Sequence, residues 1–113
     1  MHSGTVIRML DNNNLVALMG TDVMKALMEQ EFPNDEEARG PSLLYVMGAA
    51  GIGEFKNAKV IGLNGGSSFQ AHRDEINEDY ILCLTDRGTV GLCTKRDYRH
   101  FLVEDVSEIN IID

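Results

Sequence analysis

The stretch Asp79–Thr94, DYILCLTDRGTVGLCT, decides the fold. Two apolar runs, Asp79–Thr85 and Thr89–Thr94, flank the turn residues Asp86-Arg87-Gly88. Runs of that length around a glycine turn predict a β-hairpin. Gly88 suits the left-handed position of a three-residue loop. Pairing Thr85 with Thr89 sets Tyr80, Leu82, Leu84, Val90 and Leu92 on one face, which is expected to be core. Cys83, Gly91 and Cys93 then share the other face, with the two cysteines diagonal to each other. They are expected to act as small buried residues. Their spacing makes no CxxC pair and no histidine cluster lies nearby, so a reduced, metal-free chain is expected.

Upstream, Val6–Leu10 and Leu15–Met19 read as a second hairpin around Asp11-Asn12-Asn13-Asn14. If Leu10 faces Leu15, then Ile7, Met9, Val16 and Leu18 share the core face. Thr21 or Asp22 would cap a helix to about Glu31, with Val23, Met24, Leu27 and Met28 at helical spacing. Phe32-Pro33 ends it, since the residue before proline avoids the helical region. Asn34–Gly40 is a polar loop, and Pro41–Ala50 starts as a short helix would. Ala58–Leu63 reads as a buried strand, and Lys95–Val103 as a short helix or an extended turn. Val106–Ile112 is a last strand, whose Ile109–Ile112 portion is expected at a sheet edge or an interface. The fold class that follows is α+β. It has a small mixed or antiparallel sheet of about five or six strands from two hairpins. One clear helix (about 21–31) and one or two short helices complete a single small domain over residues 1–113.

The two hairpins echo each other. LDNNNLVALMGTDVMKAL (10–27) and LTDRGTVGLCTKRDYRHFL (84–102) share a layout of strand end, turn, strand, a polar residue with Asp, and an apolar-spaced run. Asp11 lies over Asp86, Leu18 over Leu92 and Asp22 over Asp97. A true duplication predicts two hairpin–helix units packed about a pseudo-twofold axis. Each half resembles the second hairpin and helix of a CBS motif. That resemblance implies that Thr94 and Asp97 help to bind an adenosyl nucleotide. The run GLCTKRDYRHFLVEDVSEI (91–109) also resembles the end of a WYL domain, which implies a small Sm-like barrel that senses ligands and gives Arg99 a matching basic position. Each resemblance covers a short part of the chain, and the two imply different structures for Tyr98–Val103.

The chain is 43% hydrophobic and 25% charged, too apolar and evenly mixed for disorder. Its formal net charge of −8 argues against general affinity for DNA, RNA or anionic membranes. No apolar run approaches the length of a membrane span, and Met-His-Ser-Gly at the start lacks a basic, then apolar, leader pattern. The expected location is cytoplasmic.

Two segments are candidate anion sites. Backbone amides and hydroxyls of Gly65, Gly66, Ser67 and Ser68 would cradle a phosphate or carboxylate, as such loops do. They compete with an ordinary turn. Lys95, Arg96, Arg99 and His100 would gather on one face of a helix. That cluster competes with a solvated charged face. His72 stands beside Asp74 and Glu75, as a base and its orienter would, or as surface residues commonly do. No catalytic constellation or cofactor motif is evident. The first expectation is therefore a non-enzymatic regulatory or inhibitory interaction protein that binds another protein and forms a homo-oligomer. The alternatives are a sensor or sequestering protein for a nucleotide-like anionic ligand and, last, a small enzyme using His72 or a cysteine.

Overall fold

A computed structural model describes residues 6–63 and 67–112. Its order is β1 (Val6–Asp11), β2 (Asn14–Gly20), α1 (Thr21–Glu31), α2 (Leu43–Ala49), β3 (Asn57–Gly62) and β4 (Ser68–His72). A 3-10 turn at Arg73–Glu75 follows, then β5 (Tyr80–Leu84), β6 (Val90–Thr94) and β7 (Val106–Ile112). The fold is α+β, with seven strands in two sheets where the sequence pattern suggested five or six. The larger sheet runs β2-β1-β7-β3-β4, and β5 pairs with β6 in a separate ribbon. β1 and β7 are parallel, while the other neighbours are antiparallel.

Both hairpins form. Asn12 and Asn13 take positive φ at 50° and 70°, the twist that a tight two-residue turn requires. The turn is tied to β7, because Asn12 N–H donates to the Ile111 carbonyl and Asn110 Nδ2 donates to Asn13 Oδ1 at 2.9 Å. Gly88 takes φ 78°, as its loop demands. Helix α1 matches its expected span, but its cap position is Gly20, so Thr21 and Asp22 lie inside the helix. Asp22 instead favours the first turn through the helix dipole. Met24 and Leu27 are buried, and Val23 is left exposed. Ser42 caps α2 by accepting from Tyr45 N–H, and Glu31 Oε1 and Oε2 accept from the Ser42 N–H and hydroxyl at 2.7 Å each.

One core joins the inner face of the large sheet to α1, α2 and the second hairpin. Ile7, Met9, Met19, Val60, Ile109 and Ile111 meet Met24, Leu43, Met47, Leu82 and Leu92.

Four expectations are corrected. First, the register moves between Met9↔Ala17 and Leu10↔Leu15, leaving Val16 as an extra residue in β2. Beyond that bulge the alternation inverts, so Ala17 and Met19 face the core while Val16 and Leu18 are exposed. Second, β7 has its expected span but sits in the middle of the sheet, between β1 and β3, not at an edge. Its Ile109 and Ile111 are fully buried, and pairing of two copies through Ile109–Ile112 is thereby removed. Third, Cys83 and Cys93 are diagonal neighbours as expected but are joined in a disulfide, not reduced. Fourth, of the two readings of Lys95–Val103 the turn is the one that forms: Lys95–His100 folds as successive turns, and the helical face expected to gather its basic residues does not exist. The second hairpin therefore has no counterpart of α1, and the predicted pseudo-twofold pair of hairpin–helix units does not form. Strand β4 lies where the polar Ser68–His72 pattern gave no element.

Candidate protein-interaction surface

The two hairpins are treated differently by the rest of the chain. In the β5–β6 ribbon, one face enters the main core. The other face, with Ile81, Cys83 and Cys93, is covered by Tyr98 and Phe101. Phe101 lies so close over Gly91 that a Cβ there would be 2.4 Å from its ring, so only glycine admits this cover. Both ribbon edges are capped as well. Leu82 N–H donates to the Pro41 carbonyl and Leu84 N–H to the Arg39 carbonyl, each at 2.9 Å. Gly40 permits this approach, since a Cβ would collide with the Leu82 carbonyl. On the β6 side, Leu92 N–H donates to the Val103 carbonyl at 2.8 Å, and Leu102 N–H donates back to Leu92 at 2.7 Å.

Strand β2 has no such cover among the described residues. It is the edge of the five-stranded sheet and pairs only with β1. Its sequence, NLVALMG, carries no charge and no proline, two devices by which natural edges are usually blunted. Leu15 is 55%, Val16 46% and Leu18 60% exposed, and neighbouring Val6 is 51% exposed. Arg8, opposite Leu18, is paired with Glu108 at 2.6 Å, while its side chain stays 58% exposed. At the other edge, β4 exposes Ser68, Gln70 and His72, a polar row where β2 exposes an apolar one.

The sequence-predicted site residues fall elsewhere. Gly65 and Gly66 lie outside the described residues. Ser67 Oγ accepts from Glu104 N–H at 3.3 Å, and the Ser67 carbonyl accepts from Gly62 N–H at 2.8 Å. Ser68 begins β4, opposite Ile61. Ser67 lines a cavity of about 360 Å³ with Phe101 and the acidic Glu104 and Asp105. Lys95 lines a different one, of about 320 Å³, with Asp35, Glu37, Arg39 and Tyr98. Ser67 and Lys95 therefore line separate cavities. Lys95 Nζ rests 5.2 Å from the centre of the Phe32 ring, Arg96 is exposed, and Arg99 N–H donates to Asp97 Oδ1. Asp97 N–H donates to the Thr94 carbonyl, so the pair singled out by the CBS resemblance closes a turn. His72 caps the 3-10 turn: its Nδ1 accepts from Asp74 N–H, and Glu75 accepts from His72 N–H.

Sequence reasoning missed the β2 surface because it assigned Val16 and Leu18 to the core. The available signal was the run Leu15–Met19, five apolar residues with no polar alternation, directly after a tight turn. Such a run cannot bury both faces unless something covers each of them. Among the described residues, no three His, Cys, Asp or Glu side chains gather as a metal site would, and no helix is long and apolar enough to cross a membrane. Comparisons with protein-family models, curated proteins and solved structures return no match.

Proposed function

We propose that this chain is a non-enzymatic interaction protein, regulatory or inhibitory in role, that binds a partner protein through the β2 edge and its outer face. The observation that carries this reading is the exposed apolar row Val6, Leu15, Val16 and Leu18 on an edge strand without charge. Contiguous exposed apolar surface, rimmed by polar residues, marks interaction sites on soluble domains. The net charge of −8 keeps such a chain from self-adhesion in general and favours a partner with basic character. The Cys83–Cys93 bond weighs toward a compartment that does not reduce it, against the cytoplasmic expectation.

The test is comparative capture. Wild-type chain and Leu18→Asp, each immobilised and each with an unchanged melting temperature, are exposed to native lysate of the source cells. A partner retained by wild type and lost by the variant supports the reading. Equal capture by both, or capture by neither, sinks it.

A further inference from the structure

We infer that the partner meets β2 as an extended strand, with apolar residues in alternation and a Lys or Arg at each end; this rests on the reading just given.

The edge itself dictates the first part. Strand β2 spans seven residues, about 20 Å of backbone at strand rise. Its outer N–H and C=O groups face no other strand among the described residues. An extended segment satisfies such groups by adding a strand, and alternate side chains then supply specificity. The molecule uses this solution on its other hairpin, where Arg39–Pro41 and Leu102–Val103 run along the two ribbon edges and bond to Leu82, Leu84 and Leu92. Among the described residues, strand β2 lacks the equivalent segment.

Charge and size dictate the second part. Arg8 is already paired with Glu108, and the nearest charges in sequence at the two ends of β2 are Asp11, paired with Asn14, and Asp22. A carboxylate oxygen of Asp22 lies 2.9 Å from where a Gly20 Cβ would stand. Gly20 is opposite the exposed Val6, so this acid sits on the outer face. By alternation Asp11, in register with the buried Ile111, belongs to the opposite face, so the two acids mark the two ends of β2 from different faces, and on a chain of net charge −8 they complement a segment with basic ends. A second copy would bring the same acids and the same −8. The exposed apolar row is also only four side chains, three on β2 and Val6 on its neighbour, against the roughly 20–30 residues a side of a stable interface between folded proteins.

The test is a displayed library of random peptides of about twelve residues, long enough for one strand and its flanks. It is panned on the full wild-type chain with counter-selection on Leu18→Asp. Enriched peptides are then synthesised and their affinities measured. The expected sequences alternate apolar and polar residues between basic ends. Their binding should weaken at least about tenfold on Leu18→Asp, and also on a second variant, Leu15→Asp. Asp22→Lys should weaken it by several-fold, with a matching loss of salt dependence. Enrichment of helically spaced or acid-ended sequences overturns the inference, as does no enrichment above the variant. A wild-type dimer in sedimentation that Leu18→Asp dissociates also overturns it, because the occupant is then a second copy. If the lysate partner is lost on Leu18→Asp while the library yields no strand pattern, this inference falls and the wider reading stands.

Discussion

The first hairpin and the second are written almost alike and end in opposite situations. Each has two apolar strands, a polar turn and an Asp shortly after the second strand. The β5–β6 ribbon is enclosed, with core on one face, Tyr98 and Phe101 on the other and a chain segment bonded along each edge. Among the described residues, the β1–β2 hairpin buries one face, gives one edge to β7, and leaves the other edge and the outer face uncovered. Like patterns in sequence therefore do not imply like exposure, because exposure depends on what the following segment does. After β2 the chain turns into α1, which packs Met24 and Leu27 into the core. After β6 it winds back over its own hairpin. A leucine in the enclosed hairpin is thus a stability residue, and one in the open hairpin is free to serve binding.

The largest expected effect lies in the enclosed hairpin. Leu82→Ala should destabilise by about 2–5 kcal/mol, because Leu82 is fully buried and leaves a cavity. Denaturant titration checks this, and a loss within the surface range of about 0.5 kcal/mol would mean the ribbon is not enclosed. Next comes reduction of Cys83–Cys93, which should lower stability by about 2–4 kcal/mol, as native disulfides do. Alkylation of the unfolded, unreduced protein should add nothing to its mass, and two adducts would refute the bond. Gly91→Ala should cost about 1–3 kcal/mol by displacing the Phe101 cover. A neutral result would show that Phe101 is not seated there. The smallest effect is expected at Leu18→Asp, within about 0.5 kcal/mol, as for surface positions generally. A cost above 2 kcal/mol would place Leu18 in the core after all and erase the contrast between the hairpins.

Local chemistry made much of this fold legible. Asn12-Asn13 and Gly88 specify their turns, Phe32-Pro33 ends α1, and Val106–Ile112 reads as a strand from its isoleucines. What stayed hidden is non-local. The insertion of Val16 into β2 depends on how Met9 and Leu10 pair across the hairpin, and one extra residue reverses which side chains are buried. The central place of β7 depends on partners a hundred residues away, as Arg8 and Glu108 show. Polar Ser68–His72 becomes a strand because β3 offers it an edge, although its own pattern is weak. For the site, the basic residues Lys95, Arg96 and Arg99 were easy to notice but depended on a helix that does not form. The uncharged run of β2 looked like core because nothing local tells a strand whether its outer face will be covered.

The parallel pairing of β1 with β7 also sets an order of events during synthesis. Every other strand of the large sheet precedes β7 in the chain, and β7 alone joins β1 to β3. While a ribosome adds residues at about 5–20 per second, the strands of β1–β2 and β3–β4 emerge before the strand that connects them. The sheet closes only when Val106–Ile112 is free of the exit tunnel and inserts between them, across a loop that spans most of the chain. Such long-range closure makes folding slow for a chain of this size. A nascent chain stopped before Val106 should therefore expose the inner edge of each hairpin, and the cell would meet two unjoined half-sheets before it met the finished protein.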